Sequence, residues 1–163
     1  LGLLEFIYCV DLLNRIRKGS KLKNAHLDLT AEEKSGYLHV TLDGVYSLAE
    51  ANNIFVRILD ILDEKQIPKL LLDVSKLNGT PSKIEIYEMG KFGAEQGFNF
   101  TKKGIHPIKI AYYGKEPFID HNRFGQTVGN NRGLDLLVTT EIDEALRFLG
   151  VWNPLAMADW LNF

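Results

Sequence analysis

The stretch Leu70-Leu71-Leu72-Asp73-Val74, preceded by Pro68 and followed by the loop Asn78-Gly79-Thr80-Pro81-Ser82, decides the fold. A run of apolar residues too short for a helix, and flanked by turn formers, reads as a strand covered on both faces, as in the centre of a parallel sheet. Such a strand needs helices around it, and the neighbouring sequence supplies them. Upstream, Leu48, Ala51, Ile54, Phe55, Ile58, Ile61 and Leu62 form one apolar stripe along a helix reaching about Gln66, with Ser47 and Glu50 in the spacing of a capping box. Downstream, a helix is predicted from Lys83 to about Gln96, carrying the small residues Gly90, Gly93, Ala94 and Gly97.

Further out, the segment from Ala25 to Glu33 and the alternating Tyr37-Leu38-His39-Val40-Thr41-Leu42 flank Lys34-Ser35-Gly36 and predict a hairpin. Ile108 to Tyr113 reads as the next strand, and Pro117 is placed to open a helix running to about Asn131. Leu134 to Val138 supplies the last strand. Thr140 then caps a helix bearing Ile142, Ala145, Leu146 and Leu149 on one face, stopped by Gly150. Strands alternating with helices predict an α/β fold: a mixed, largely parallel sheet with helices packed on it, plus an N-terminal helix. The expected division is residues 1–24 as an apolar and basic helical extension, 25–150 as the domain, and 151–163 as an apolar tail.

Composition narrows the function. The 163 residues fit one core; 45% hydrophobic and 25% charged residues exclude general disorder, and the net charge of -2 argues against nucleic acid. Cys9 is the only cysteine, which excludes an internal disulfide and suits a reducing cytoplasm. Residues 1–24 carry five basic against two acidic side chains, a net +3. Leu3, Leu4, Ile7 and Leu12 beside Arg15, Arg17 and Lys18 have the pattern of an amphipathic helix that lies on an anionic membrane surface or docks on the domain or a second copy. The tail, with Trp152, Leu155, Trp160 and Phe163, folds back on the domain or makes a self-association or membrane surface.

From about Leu27 to Gly150 the chain resembles the SpoIIAA-like branch of the STAS family, the sulfate transporter and anti-sigma factor antagonist domains. The residues that carry the resemblance are the hairpin ending Leu42-Asp43-Gly44, the helix from Ser47, Leu70-Leu71-Leu72-Asp73 with the following Asn78-Gly79-Thr80, the strand at Ile108, Ile110 and Ala111, and the closing Thr140-Glu141-Ile142-Asp143-Glu144-Ala145-Leu146. The resemblance implies a regulatory module in which a serine opening the helix after the central strand is phosphorylated by a partner kinase. The family's Asp-Ser-Ser-Gly is missing here. Asn78 and Gly79 open the loop instead, and Thr80 and Ser82 are its switch candidates. The SpoIIAA-like branch further implies a lipophilic ligand or a membrane surface.

The catalytic inventory is close to empty. His26, His39 and His106 stand singly, and no G-x-S-x-G or phosphate-loop pattern occurs. The one enzymatic alternative is a site assembled from His121, Asp120 and Ser82. Gly90, Gly93, Gly97, Tyr112, Phe118, His121 and Phe124 are the candidates for lining an apolar ligand groove, with close packing as the competing role of the glycines and core packing that of the aromatics. The expectation is thus a non-catalytic module without metal or cofactor, cytoplasmic and in contact with a membrane surface if the N-terminal helix lies there. Its partner is a protein or a lipophilic small molecule, and it self-associates if its apolar ends pair.

Overall fold

The computed structural model describes residues 22–23, 27–102 and 107–154, the side chains of Leu22, Lys23 and Lys102 excepted. The sequence's N-terminal helix, most of its tail, and His26 and His106 lie outside these residues. Among the described residues six strands form one sheet in sequential order: β1 (Leu22–Lys23), β2 (Leu27–Lys34), β3 (Tyr37–Val45), β4 (Lys69–Asn78), β5 (Lys109–Tyr113) and β6 (Asp135–Thr139). The first three pair antiparallel, whereas β3 to β6 run parallel. The hairpin turns at Ser35-Gly36, where Lys34 pairs with Tyr37 and Gly36 takes the positive φ of 86° that glycine adopts without steric cost. The mixed, largely parallel sheet with helices packed on it that the sequence predicts is the fold observed, while Leu22 and Lys23, within the stretch expected as a helical extension, form a strand.

Each parallel connection steps one strand in the same direction, so crossovers of one hand lay their helices on one face. These helices are α1 (Leu48–Lys65), α2 (Lys83–Lys102) and α3 (Phe124–Asn130). Ile54, Ile58, Leu62 and Phe100 from this layer meet Leu29, Val40, Leu70, Leu72 and Ile110 in the main core. On the other face α4 (Ile142–Leu149) buries Ala145, Leu146 and Leu149 against Tyr37, Leu71 and Ala111. Alternation along β4 thus sends Leu70 and Leu72 to one core and Leu71 to the other. Each such fully buried leucine stabilises the fold by roughly 1.5–3 kcal/mol.

Local chemistry departs from the sequence reading at three helix starts. Ser47 is the N-cap of α1 but makes no side-chain cap, so the expected Ser47–Glu50 box does not form. The box forms on α2 instead: the Ser82 N–H donates to Glu85 Oε2 at 2.8 Å and the Glu85 N–H to Ser82 Oγ at 3.2 Å. The helix expected from Pro117 starts only at Phe124. Arg123 before it is left-handed, with φ 48°, which interrupts any helix, and Asp120 Oδ1 accepts the Phe124 N–H at 2.8 Å. At α4 the N-cap is Glu141 rather than Thr140. The neighbouring Thr139, fully buried, accepts the Glu141 N–H at 3.0 Å and donates its hydroxyl to Glu144.

Glu144 also ties the two helical layers together. Arg123, at the entrance to α3, donates to both Glu144 oxygens at 3.1 Å, a bidentate pair that orients both groups. The Arg123 and Thr139 hydrogen bonds hold the Glu144 carboxyl below the usual range, against the smaller opposing effect of burial. A depressed carboxylate stabilises the fold above its unfolded pKa, and that stability is lost as pH falls through the folded value. Glu144→Gln should therefore lower the melting temperature at neutral pH and leave it unchanged in acid, where both proteins carry a neutral group. With both side chains 41% exposed, the loss should stay within about 1 kcal/mol. A melting difference that persists undiminished at low pH would show the effect to be steric.

Candidate functional site

The start of α2 is the first candidate. β4 ends at Asn78, whose carbonyl accepts the Tyr46 N–H at 2.8 Å, and Gly79 follows with φ 123°. A Cβ at Gly79 would lie 3.3 Å from that of Tyr46, so both backbone conformation and space favour glycine. Pro81 is buried and anchors the loop, while Asn78, Gly79, Thr80 and Ser82 face solvent. Ser82 spends its hydroxyl in the capping box. Hydrogen bonds from Ser82 hold the Glu85 carboxyl below its ordinary range. Beside this rigid turn stand exposed apolar side chains: Ile84 at 75% and Val45 at 57%, the latter paired in register with Asn78. Tyr87, one turn beyond Ile84, is partly exposed as well and stacks under Arg132.

The second candidate is an apolar cavity of about 120 Å³ between the sheet and the layer of α1, α2 and α3. Its walls include Phe55, Met89, Phe92, Tyr112, Phe118 and Leu134, with Gly90 and Gly93 along α2. Tyr46 closes one side by donating to Met89 Sδ at 3.7 Å and meeting Phe118 edge-on at 5.5 Å. Burial, with the Glu85 charge adding to it, pushes the Tyr46 phenol up to about 12, and burial raises Tyr112 further. Both phenols are therefore neutral and stay as hydrogen-bonding groups in apolar surroundings.

Of the residues expected to line a groove, Gly90, Gly93, Tyr112 and Phe118 border this cavity, while Gly97, His121 and Phe124 do not. Gly97 faces Leu134, 3.0 Å from where a Cβ would stand. The His121 side chain is 97% exposed and 3.9 Å from Glu116, Asp120 caps α3, and Ser82 caps α2. The three residues of the enzymatic alternative are thus bound into separate local contacts. Leu3, Leu4, Ile7, Leu12, Arg15, Arg17 and Lys18 lie outside the described residues. Among those described, no group of three His, Cys, Asp or Glu side chains is disposed to hold a metal, and no helix is long and apolar enough to cross a membrane.

Sequence reasoning missed a polar row on the α4 face of the sheet. Thr41, Asp73, Tyr113 and Thr139 stand side by side in register across β3 to β6. His39 joins them, its Nε2 at 3.4 Å from Thr41 Oγ1 and 3.8 Å from Asp73 Oδ2. Burial works to raise the Asp73 carboxyl, but His39 and the Ser75 N–H, at 2.8 Å from Oδ1, together hold it below its ordinary range. The available signal was an acid inside a strand read as covered on both faces, together with His39 and Thr41 sharing one side of β3.

No protein-family model matches the sequence, and no curated protein matches it at significance. Solved structures do. An anti-sigma factor antagonist from Mycobacterium paratuberculosis superposes with a TM-score of 0.50 at 15% identity, covering 79% of this chain and 99% of that one. An uncharacterized protein from Shewanella loihica with a SpoIIAA-like fold gives a TM-score of 0.46 at 19% identity, covering 78% of this chain and 98% of its own. The first of these establishes the fold: the chain has the STAS-like architecture of the anti-sigma factor antagonist.

The two glycines of α2 that border the cavity differ in what lies against them. A Cβ on Gly93 would make ordinary contacts, 3.7 Å from Leu134 and 3.9 Å from Phe55. On Gly90 it would press on Val128 at 2.9 Å and on the Gly125 carbonyl at 3.2 Å. Gly93→Ala should therefore stabilise the protein by up to about 1 kcal/mol through helix propensity, and Gly90→Ala should destabilise it. Thermal melts of the two variants check this, and shifts of the same sign would contradict the packing described.

Proposed function

We propose that the chain is a non-catalytic, cytoplasmic regulatory module that engages a protein partner through the start of α2. The carrying observation is the exposed Ile84, a large apolar side chain held in water on the first turn of a helix whose N-terminus is fixed by the Ser82–Glu85 box. A lone exposed leucine or isoleucine is unremarkable, but Ile84 is accompanied by exposed Tyr87 one turn along α2 and by exposed Val45, which pairs with Asn78 at the start of the same loop. A preorganised loop with apolar anchors loses little entropy on binding. The architecture shared with an anti-sigma factor antagonist, a protein whose name states a protein-directed role, supports this reading.

Thr80 is the better switch residue of the two. It is exposed and makes no cap, so a phosphate there adds charge beside Ile84 without dismantling α2. A phosphate on Ser82 would consume the hydroxyl that accepts the Glu85 N–H and set its charge against the Glu85 carboxylate. Ile84→Ser and Thr80→Glu should both melt like the parent chain. In pull-downs from a lysate of the source organism, each should lose a protein that the parent retains. Identical capture by the parent and both variants would remove the reading.

The cavity favours a second, compatible reading, in which a small apolar group binds beneath α2. Its 120 Å³ is below the roughly 150 Å³ of a cavity that admits benzene, so it suits a group smaller than an aromatic ring, such as a short branched alkyl group, and not a whole acyl chain. Native mass spectrometry of the purified protein should then show a bound mass that organic extraction removes; protein at the bare chain mass before and after extraction would dismiss the ligand.

A further inference from the structure

β6 is the last strand, paired with β5 on one side and, among the described residues, with no strand on the other. The Thr139 carbonyl turns inward and accepts the Gly114 N–H at 3.2 Å, so by alternation the amides of Leu136 and Val138 turn outward. An outward row of this kind is a ready template for another strand. Here both amides are already engaged. The Leu136 N–H donates to Asn130 Oδ1 at 3.1 Å and the Val138 N–H to Gln126 Oε1 at 2.8 Å.

The match is geometric. Gln126 and Asn130 stand four residues apart on α3, a rise of about 6 Å on one helical face. Successive outward amides of a strand repeat every two residues, about 6.6 Å. Two side-chain oxygens on adjacent helical turns therefore meet two consecutive outward amides. Close packing holds the register, since a Cβ on Gly129 would stand only 3.0 Å from Leu136 Cδ2.

We infer that Gln126 and Asn130 occupy the place of a further strand and close the β6 edge to pairing with a second copy of the chain. A second copy is the fitting competitor because antiparallel pairing of β6 with itself about Leu137 is self-complementary. It sets Leu136 opposite Val138 of the copy, so that all four outward N–H groups find carbonyls. It also sets Asp135 opposite Thr139, with no like charges in contact.

Two variants of the full chain test this. Gln126→Ala/Asn130→Ala frees the edge, and sedimentation equilibrium should show particles approaching twice the parent's mass as concentration rises. Gln126→Met/Asn130→Leu keeps the side-chain volume and removes the acceptors. Amide exchange at Leu136 and Val138 should then accelerate about tenfold, the net worth of one hydrogen bond, while the inward Leu137 amide keeps its parent rate. A folded alanine variant with the parent's mass overturns the inference. So does parent-like exchange at both amides in the Met/Leu variant, which also decides the matter if the alanine variant fails to fold.

Discussion

The structure depends on one strand whose central residues, Leu70 to Val74, are buried on both faces. In β4, Leu70 and Leu71 are fully buried on opposite faces, and Leu72 and Val74 nearly so. Its backbone groups are taken up by β3 on one edge and β5 on the other. Exposure of either face would strand apolar surface in water, and truncating one such leucine typically costs about 2–5 kcal/mol. Both faces therefore need cover, and the rest of the chain is distributed to provide it: α1, α2 and α3 on one face, α4 on the other.

Asp73 is the exception within that strand. A carboxylate in so buried a place is tolerated only with partners, and the Ser75 amide and His39 provide them. The polar row it belongs to crosses the sheet at the level where β3 shifts register between Thr41 and Asp43. It continues through Tyr113 to Thr139, whose hydroxyl reaches Glu144 and through it Arg123. The same end of the parallel strands thus carries a row of polar residues, and at its β6 end the Glu144–Arg123 pair joins one helical layer to the other.

The helical layer is uneven in its tightness. At Gly90 the backbones of α2 and α3 approach until no Cβ fits, whereas at Gly93 there is room for one. The cavity borders both glycines, and its walls combine aliphatic side chains of the sheet with Tyr46, Phe55, Met89, Phe92 and Phe118. The short α3 serves two neighbours at once, packing glycines against α2 and Leu136 while the side-chain amides of Gln126 and Asn130 reach the outward groups of β6. Close packing of the helix and closure of the sheet edge come from the same seven residues.

Local pattern alone made strands β2 to β6, the α1 stripe, the hairpin turn at Gly36 and the Gly150 stop legible, because each rests on residues adjacent in sequence or one helical turn apart. The same local logic pointed to Gly90, Gly93, Tyr112 and Phe118 as neighbours of a groove. It failed where the local pattern was not decisive: Ser47–Glu50 and Ser82–Glu85 have identical spacing, yet only the second closes, and the stretch from Pro117 forms turns until the left-handed Arg123 precedes the helix at Phe124. The sequence by itself determined most of the strands and helices and which sides of them must be dry. Only the tertiary structure decided that His39 meets Asp73, that Arg123 meets Glu144 and that Gln126 and Asn130 reach β6. Those contacts join residues on different elements, and their distances follow from sheet register and helix docking, which no local spacing encodes.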